Sequence, residues 1–214
     1  MANDDQVIGK KAPKARTKAD STNQKIIEAA EKLFAENSYE GTTLREIAKA
    51  VGIREPSIYS HFANKEAIYG AVIDRALLPF LTEINDWNSH ELSLKELLEI
   101  PRKMLELHAK RPYSAQILHR EYSLPVERIN AKVMQWLGQI AEQSHRFIGT
   151  VYDGSQPMDK KKAVVNIITT TNVTLGVFSS LGMQMALMGD DYDQSELFEE
   201  HVKIVTRIFK SLLL

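Results

Sequence analysis

Ser57, Tyr59, Ser60 and His61 alternate with Ile58 and Phe62 in a segment too short to hide them all. Ile58 and Phe62 are four apart and share one helical face. The hydroxyls, the phenol and the imidazole are therefore directed elsewhere. A helix over Arg54 to Phe62 cannot bury both of its faces, so the polar one is expected at the surface. Such a face suits hydrogen bonds to phosphates and base edges. Lys65 follows in the first turn of the next helix, where a cation opposes the helix dipole at a cost of roughly 0.3–1 kcal/mol. Glu66 offsets part of that cost. An anion docked there would turn it into attraction, because free N–H groups, the dipole and Lys65 would all act on one phosphate.

Other chemistries find less support. The chain has no cysteine, which removes disulfides, thiolate zinc sites and thiol nucleophiles. Its six histidines form no HExxH pair. No catalytic residue, metal ligand or cofactor is expected, and the chain does not read as an enzyme. One alternative stays open: a helical enzyme or small-molecule-binding scaffold whose helix-turn-helix is non-functional. Binding to the DNA flanking its own gene would separate the two.

The polar face must be positioned by the elements before and after it. Ser21 to Gln24 spell a capping box, S-x-x-Q, followed by Ile26, Ile27, Ala30, Leu33 and Phe34 at helical spacing, with an end near Asn37. Thr43 to Glu46 form a second box, with Leu44, Ile47, Ala48 and Val51 as the apolar face of a short helix. Gly52 breaks that helix and Ile53 plugs the turn. Pro56 stands early in the third helix, Arg54 to Phe62, where a missing N–H costs nothing. Asn64 caps a fourth helix reaching about Asn85. Two short helices joined by Val51-Gly52-Ile53 make a helix-turn-helix. Further helices are expected over residues 93–109, 112–122, 126–150, 158–188 and 194–213. No strand pattern is found, so the fold class is all-α. A three-helix helix-turn-helix domain is joined by the fourth helix to a larger helical domain. The expected units are a basic arm over 1–20, the helix-turn-helix over 21–72 and the larger domain over 73–214.

The stretch TTLREIAKAVGIREPSIYSHFANKEAIY, Thr42 to Tyr69, resembles the DNA-binding signature of TetR-type transcriptional regulators. The resemblance covers Ile26 to about Val72. It implies that Thr43 caps the second helix and touches phosphate. It makes Arg54, Glu55, Pro56, Ser57, Tyr59 and His61 the recognition surface and gives Lys65 a backbone phosphate. Arg54, Pro56 and Ser38 depart from the family's frequent Ser, Gly and Gly, which bears on the operator sequence. Arg54 would read guanine or touch phosphate. The implied protein is a ligand-responsive regulator, expected to repress, that binds a palindromic double-stranded DNA operator as a homodimer.

In the larger half, His108, Tyr113, His119, Tyr122, Met134 and Trp136 lie on or between amphipathic helices. The resemblance places an effector pocket there. Tyr113, His119, Tyr122 and Trp136, with Asn172 as polar handle, are the candidate ligand-binding residues, and the effector is unknown. Thr169 to Asn172 interrupt an apolar helix with four polar residues, which line a cavity or bond back to their own helix. Gly176, Ser179, Ser180 and Met183 form a stripe suited to a close helix crossing. With the final apolar-periodic helix they would join two protomers as a four-helix bundle.

Charge distribution adds to this. The net charge is −1, but residues 6–19 hold Lys10, Lys11, Lys14, Arg16 and Lys18 without an acid. This arm is a tail or a DNA contact. Ala163 to Gly189 carries no charge, yet its Asn, Thr, Ser and Gln side chains are too polar for lipid. No membrane partner is expected. The N-terminus lacks an apolar signal core, so a cytoplasmic protein is expected.

Overall fold

The computed structural model describes residues 18–90, 92–151, 159–189 and 193–213. The basic arm before Lys18 and the Asp153–Pro157 segment lie outside them. Every element of regular structure among the described residues is helical.

The first helix, α1 (Lys18–Gly41), begins before Ser21, so the S-x-x-Q pattern is interior to it and caps nothing. Gln24 instead donates to Glu28 one turn on, at 2.7 Å. Ile26, Ala30 and Phe34 bury one stripe. The break comes at Ser38 rather than Asn37. Its backbone stands at φ 70°, ψ 171°, after which the helical trace resumes to Gly41. Buried Thr42 braces this corner, its hydroxyl donating to Leu33 O and Ser38 O at 3.1 and 2.8 Å.

The next helix, α2 (Leu44–Val51), carries the expected box in full. Thr43 Oγ1 accepts from Glu46 N, and the Glu46 carboxylate accepts from Thr43 N at 2.8 Å. Gly52 ends it at φ 76°, in the left-handed region that favours glycine. Gly52 N donates to Lys49 O and Ile53 N to Ala48 O, a Schellman closure with Ile53 as its apolar plug. The third helix, α3 (Glu55–Ile58), is a single turn, shorter than its pattern implied. Ile58 O accepts from both His61 N and Phe62 N, which tightens the chain into a turn toward the next cap. Asn64 provides that cap, accepting from Ala67 N at 2.8 Å, and α4 (Lys65–Trp87) follows.

The body comprises α5 (Leu94–Ala109), α6 (Pro112–Tyr122), α7 (Ala131–Val151), α8 (Lys160–Ser179), α9 (Leu181–Met188) and α10 (Gln194–Leu213). Two expected long helices are broken. Residues 126–128 form a 3₁₀ turn, and α7 starts only after Asn130, whose N–H is held by the Glu121 carboxylate at 2.7 Å. The helix expected over 158–188 bends by 54° at Ser180. There Ser179 and Ser180 return their hydroxyls to Gly176 O, at 3.2 and 2.7 Å, in competition with the helix ladder. No single described helix is long and apolar enough to cross a membrane, although this bent pair has the length and composition together.

Helix α8 runs through the middle of the body and packs against α5, α6, α7 and α10. One buried apolar cluster extends from Ile26, Ile47 and Ile58 through Ile68 and Val72 to Leu118, Leu175 and Val205. The short N-terminal helices are thus supported by the same core as the body.

Candidate nucleic-acid interface and ligand cavity

Ile58 is fully buried and anchors the short third helix, while Arg54, Glu55, Pro56, Ser57 and Ser60 are exposed around it. Tyr59 is 56% exposed and projects a phenol from the same turn. Ser57 and Tyr59 are therefore at the surface. His61 is half-buried, and its Nδ1 lies 2.5 Å from Asn23 Oδ1. That bond orients the imidazole against α1. Thr43 is exposed but engaged in its own helix cap.

Lys65 is placed differently from its expected role. Its Nζ donates to Tyr39 O and Thr42 O at 2.8 and 2.9 Å and lies 4.4 Å from the centre of the Tyr39 ring. Two of the three ammonium donors are thus spent on the chain itself. They clamp the end of α1 to the start of α4. Two cations that the motif did not single out are better placed for an outside anion. Arg45 and Lys49 are exposed, four apart on α2, and hold no ion pair among the described residues. Their spacing was the available signal.

Behind this surface, polar side chains join the body to the N-terminal helices. Arg120 on α6 donates to Phe34 O and Ala35 O of α1, at 2.8 and 2.9 Å. Ser114 donates to the buried Glu31 carboxylate, which also pairs with Arg75 Nε at 3.2 Å. Tyr69 on α4 donates to Glu121 of α6 at 2.5 Å. Burial and that carboxylate push the Tyr69 phenol well above its ordinary range.

Inside the body, α4, α5, α7, α8 and α10 enclose a cavity of about 110 Å³. Phe80, Trp87, Met104 and Ile140 supply apolar walls, and Asn166, Thr170, Thr171 and Thr174 supply the polar part. Of the expected ligand residues, only Trp136 lines it. Tyr113 is exposed on α6, His119 and Tyr122 pack outside the cavity, and Asn172 points from another side of α8. The reason is helical phase. Asn166, Thr170 and Thr174 are spaced by four and share a stripe, whereas Asn172 lies about half a turn from Thr170. Two other amides line this cavity: Asn166, donating to Leu212 O at 2.7 Å, and Asn88, donating to Ile84 O at 2.8 Å. His108, one of the wider set noted in the sequence, also lines it, against Phe80 and Phe178. Burial alone holds its pKa down to about 3, so it is neutral.

A short helix presenting phenol, hydroxyl and guanidinium groups from a capped helix-turn-helix, on a hollow helical body, is the build of a DNA-binding regulator. Residues 26–72 match the family of bacterial regulatory proteins described as tetR. Over 193 residues the chain is 24% identical to the HTH-type negative transcriptional regulator IcaR of the biofilm operon icaADBC in Staphylococcus epidermidis, covering 86% of this chain and 97% of that protein. The Staphylococcus aureus IcaR is 53% identical over 45 residues, 21% of this chain and 24% of that one. Among solved structures, a TetR-like transcriptional regulator from Rhodococcus sp. RHA1 shares the fold with a TM-score of 0.67 at 16% identity, over 91% and 97% of the two chains. Residues 26–72 thus carry the DNA-binding domain of the tetR family of bacterial regulatory proteins, on a body that shares the fold of TetR-like regulators.

Proposed function

We propose that the protein acts as a homodimeric repressor whose grip on a palindromic operator is released by a small molecule bound in the body. The exposed Tyr59 face opposite buried Ile58 carries the reading: it presents hydrogen-bonding groups to the outside, and the Tyr59 hydroxyl has no partner among the described residues. Arg45, Lys49 and Arg54 add phosphate contacts around it. Two such faces would enter successive major grooves, roughly 34–36 Å apart.

Dimerisation through the bent α8–α9 pair and α10 is supported by apolar side chains left outside the core: Val165 and Ile168 on α8, Met183 and Leu187 on α9, and Ile204 on α10. Repression is supported by the relative named as a negative regulator. Release is supported by the route from cavity to DNA face. Thr170 and Thr171 line the cavity on α8, α8 packs on α6, and α6 holds the end of α1 through Arg120. A ligand shifts the spacing of the two faces only by its differential affinity for the two arrangements.

The test is a gel shift on the DNA flanking the protein's own gene. Wild type is expected to shift it at low salt, and Tyr59→Ala to lose the shift with its thermal transition unchanged. Wild-type affinity in Tyr59→Ala would remove this face from the interface.

A further inference from the structure

Two polar groups inside the cavity region have no hydrogen-bond partner among the described residues: Trp136 Nε1 and Thr170 Oγ1. Both residues line the cavity and are more than nine-tenths buried. The contrast with their neighbours is informative. Thr174 returns its hydroxyl to Thr170 O and Thr171 O, at 3.1 and 3.0 Å, as a helical threonine ordinarily does. Thr170 makes no such bond. An indole nitrogen is a donor only, so whatever satisfies Trp136 must be an acceptor. A threonine hydroxyl can donate to the same kind of group. Leaving such groups unpaired is costly, and native interiors rarely do so without water or a ligand.

The walls decide the rest. Among the described lining residues there is no Asp, Glu, Lys or Arg. His108 is wedged between Phe80 and Phe178 at ring distances of 4.7 and 5.8 Å and offers no charge. A carboxylate or ammonium placed here would be desolvated without compensation.

Resting on the reading of this cavity as the effector site, we propose that it takes an uncharged, mainly apolar molecule bearing a carbonyl acceptor. Trp136 Nε1–H and the Thr170 hydroxyl would hold that oxygen, and Phe80, Ile84, Met104 and Ile140 would enclose the hydrocarbon. A cavity of about 110 Å³ is near the scale, about 150 Å³, that admits a benzene-sized ring.

The chain reports occupancy by itself, because both of its tryptophans, Trp87 and Trp136, line the cavity. Three probes of one shape separate the alternatives: cyclohexanone, methylenecyclohexane and cyclohexanecarboxylate. Titrations read by tryptophan fluorescence, and by methyl NMR shifts of the lining residues, should place the ketone about tenfold ahead of the hydrocarbon. The carboxylate should bind weakest. Thr170→Val keeps the shape and should shrink the ketone's advantage while leaving hydrocarbon binding within about twofold. Trp136→Phe removes the indole donor but enlarges the hollow, so there only the ratio of ketone to hydrocarbon binding is read, with Trp87 reporting; that ratio should also shrink. Equal binding of ketone and hydrocarbon, or a preference for the carboxylate, would overturn the assigned class while leaving the cavity as a ligand site. No response to any probe by either method would remove the cavity as a ligand site, and the class with it.

Discussion

Replacing Lys65 by alanine separates the two roles open to that residue. The ammonium makes two hydrogen bonds to main-chain carbonyls, at 2.8 and 2.9 Å, and a contact with the Tyr39 ring at 4.4 Å. Hydrogen bonds to a charged group contribute about 1.5–3 kcal/mol each when shielded, and a ring contact at an exposed site about 0.5–1 kcal/mol. Lys65 is only half-buried, so the low end applies. Removing the cation also relieves its unfavourable place on the helix dipole, by roughly 0.3–1 kcal/mol. The net loss is about 2–3 kcal/mol, which for a chain of this size lowers the melting temperature by roughly 5–10 °C. Calorimetry on Lys65→Ala and Lys65→Met measures this directly. A titration of DNA affinity against salt on the same variants should show weaker binding with little change in slope, because the ammonium is occupied within the chain. A melting temperature within about 1 °C of wild type, with a salt slope shallower by about one, would refute the clamp and restore Lys65 as a phosphate contact.

Three further outcomes are expected. Ser38 stands at φ 70°, ψ 171°, a conformation nearly reserved for glycine, so Ser38→Gly should stabilise the protein by about 1 kcal/mol after its own entropy cost; Ser38→Ala should not, and urea midpoints that rank alanine above glycine would show no strain at this corner. Among the described residues, the helix's own backbone aside, no atom lies within 4 Å of a Cβ built on Gly176, so Gly176→Leu should fold yet lose dimer mass in light scattering; a stable dimer would place the seam elsewhere. His108 is held neutral with a pKa near about 3, so between there and about 6.5 the unfolded chain binds the extra proton. Its contribution is complete above about pH 6.5 and is lost as pH falls, by up to about 1.4 kcal/mol per unit. Urea midpoints between about pH 7 and about pH 5 should fall more steeply in wild type than in His108→Gln, and equal slopes would mean that this imidazole gains its proton freely.

What could be read in the sequence was whatever closes within a turn or two. The Thr43–Glu46 box, the Gly52 stop and the Asn64 cap each involve partners up to five residues apart, and each is present as its residue types require. The joints between the helices were not legible. Arg120 reaches Phe34 across 86 residues and Ser114 reaches Glu31 across 83, and no local spacing announces either. The cavity fell between these cases. Four polar residues in an apolar helix marked α8 as unusual, but which of them face the hollow depends on how α5, α7 and α10 pack around it. Thr170 and Thr171 were therefore within the marked run, and Asn172 was on the wrong side of it.

Lys65 shows how a sound local argument can reach a different partner. A cation in the first turn of a helix needs negative charge nearby, and the sequence offered a phosphate as the source. The chain contains another source. The end of α1 presents carbonyl oxygens, the negative pole of its own dipole, and the Ser38 corner turns Tyr39 O and Thr42 O toward the start of α4. Lys65 sits where the two poles meet. Its electrostatic cost is thus offset inside the protein, before any DNA arrives, and the gain is rigidity between the helix that carries the corner and the helix that leads to the cavity. On the proposed reading, phosphate contacts would fall to Arg45, Lys49 and Arg54, whose side chains have no partner among the described residues and which stand on the elements that present Tyr59.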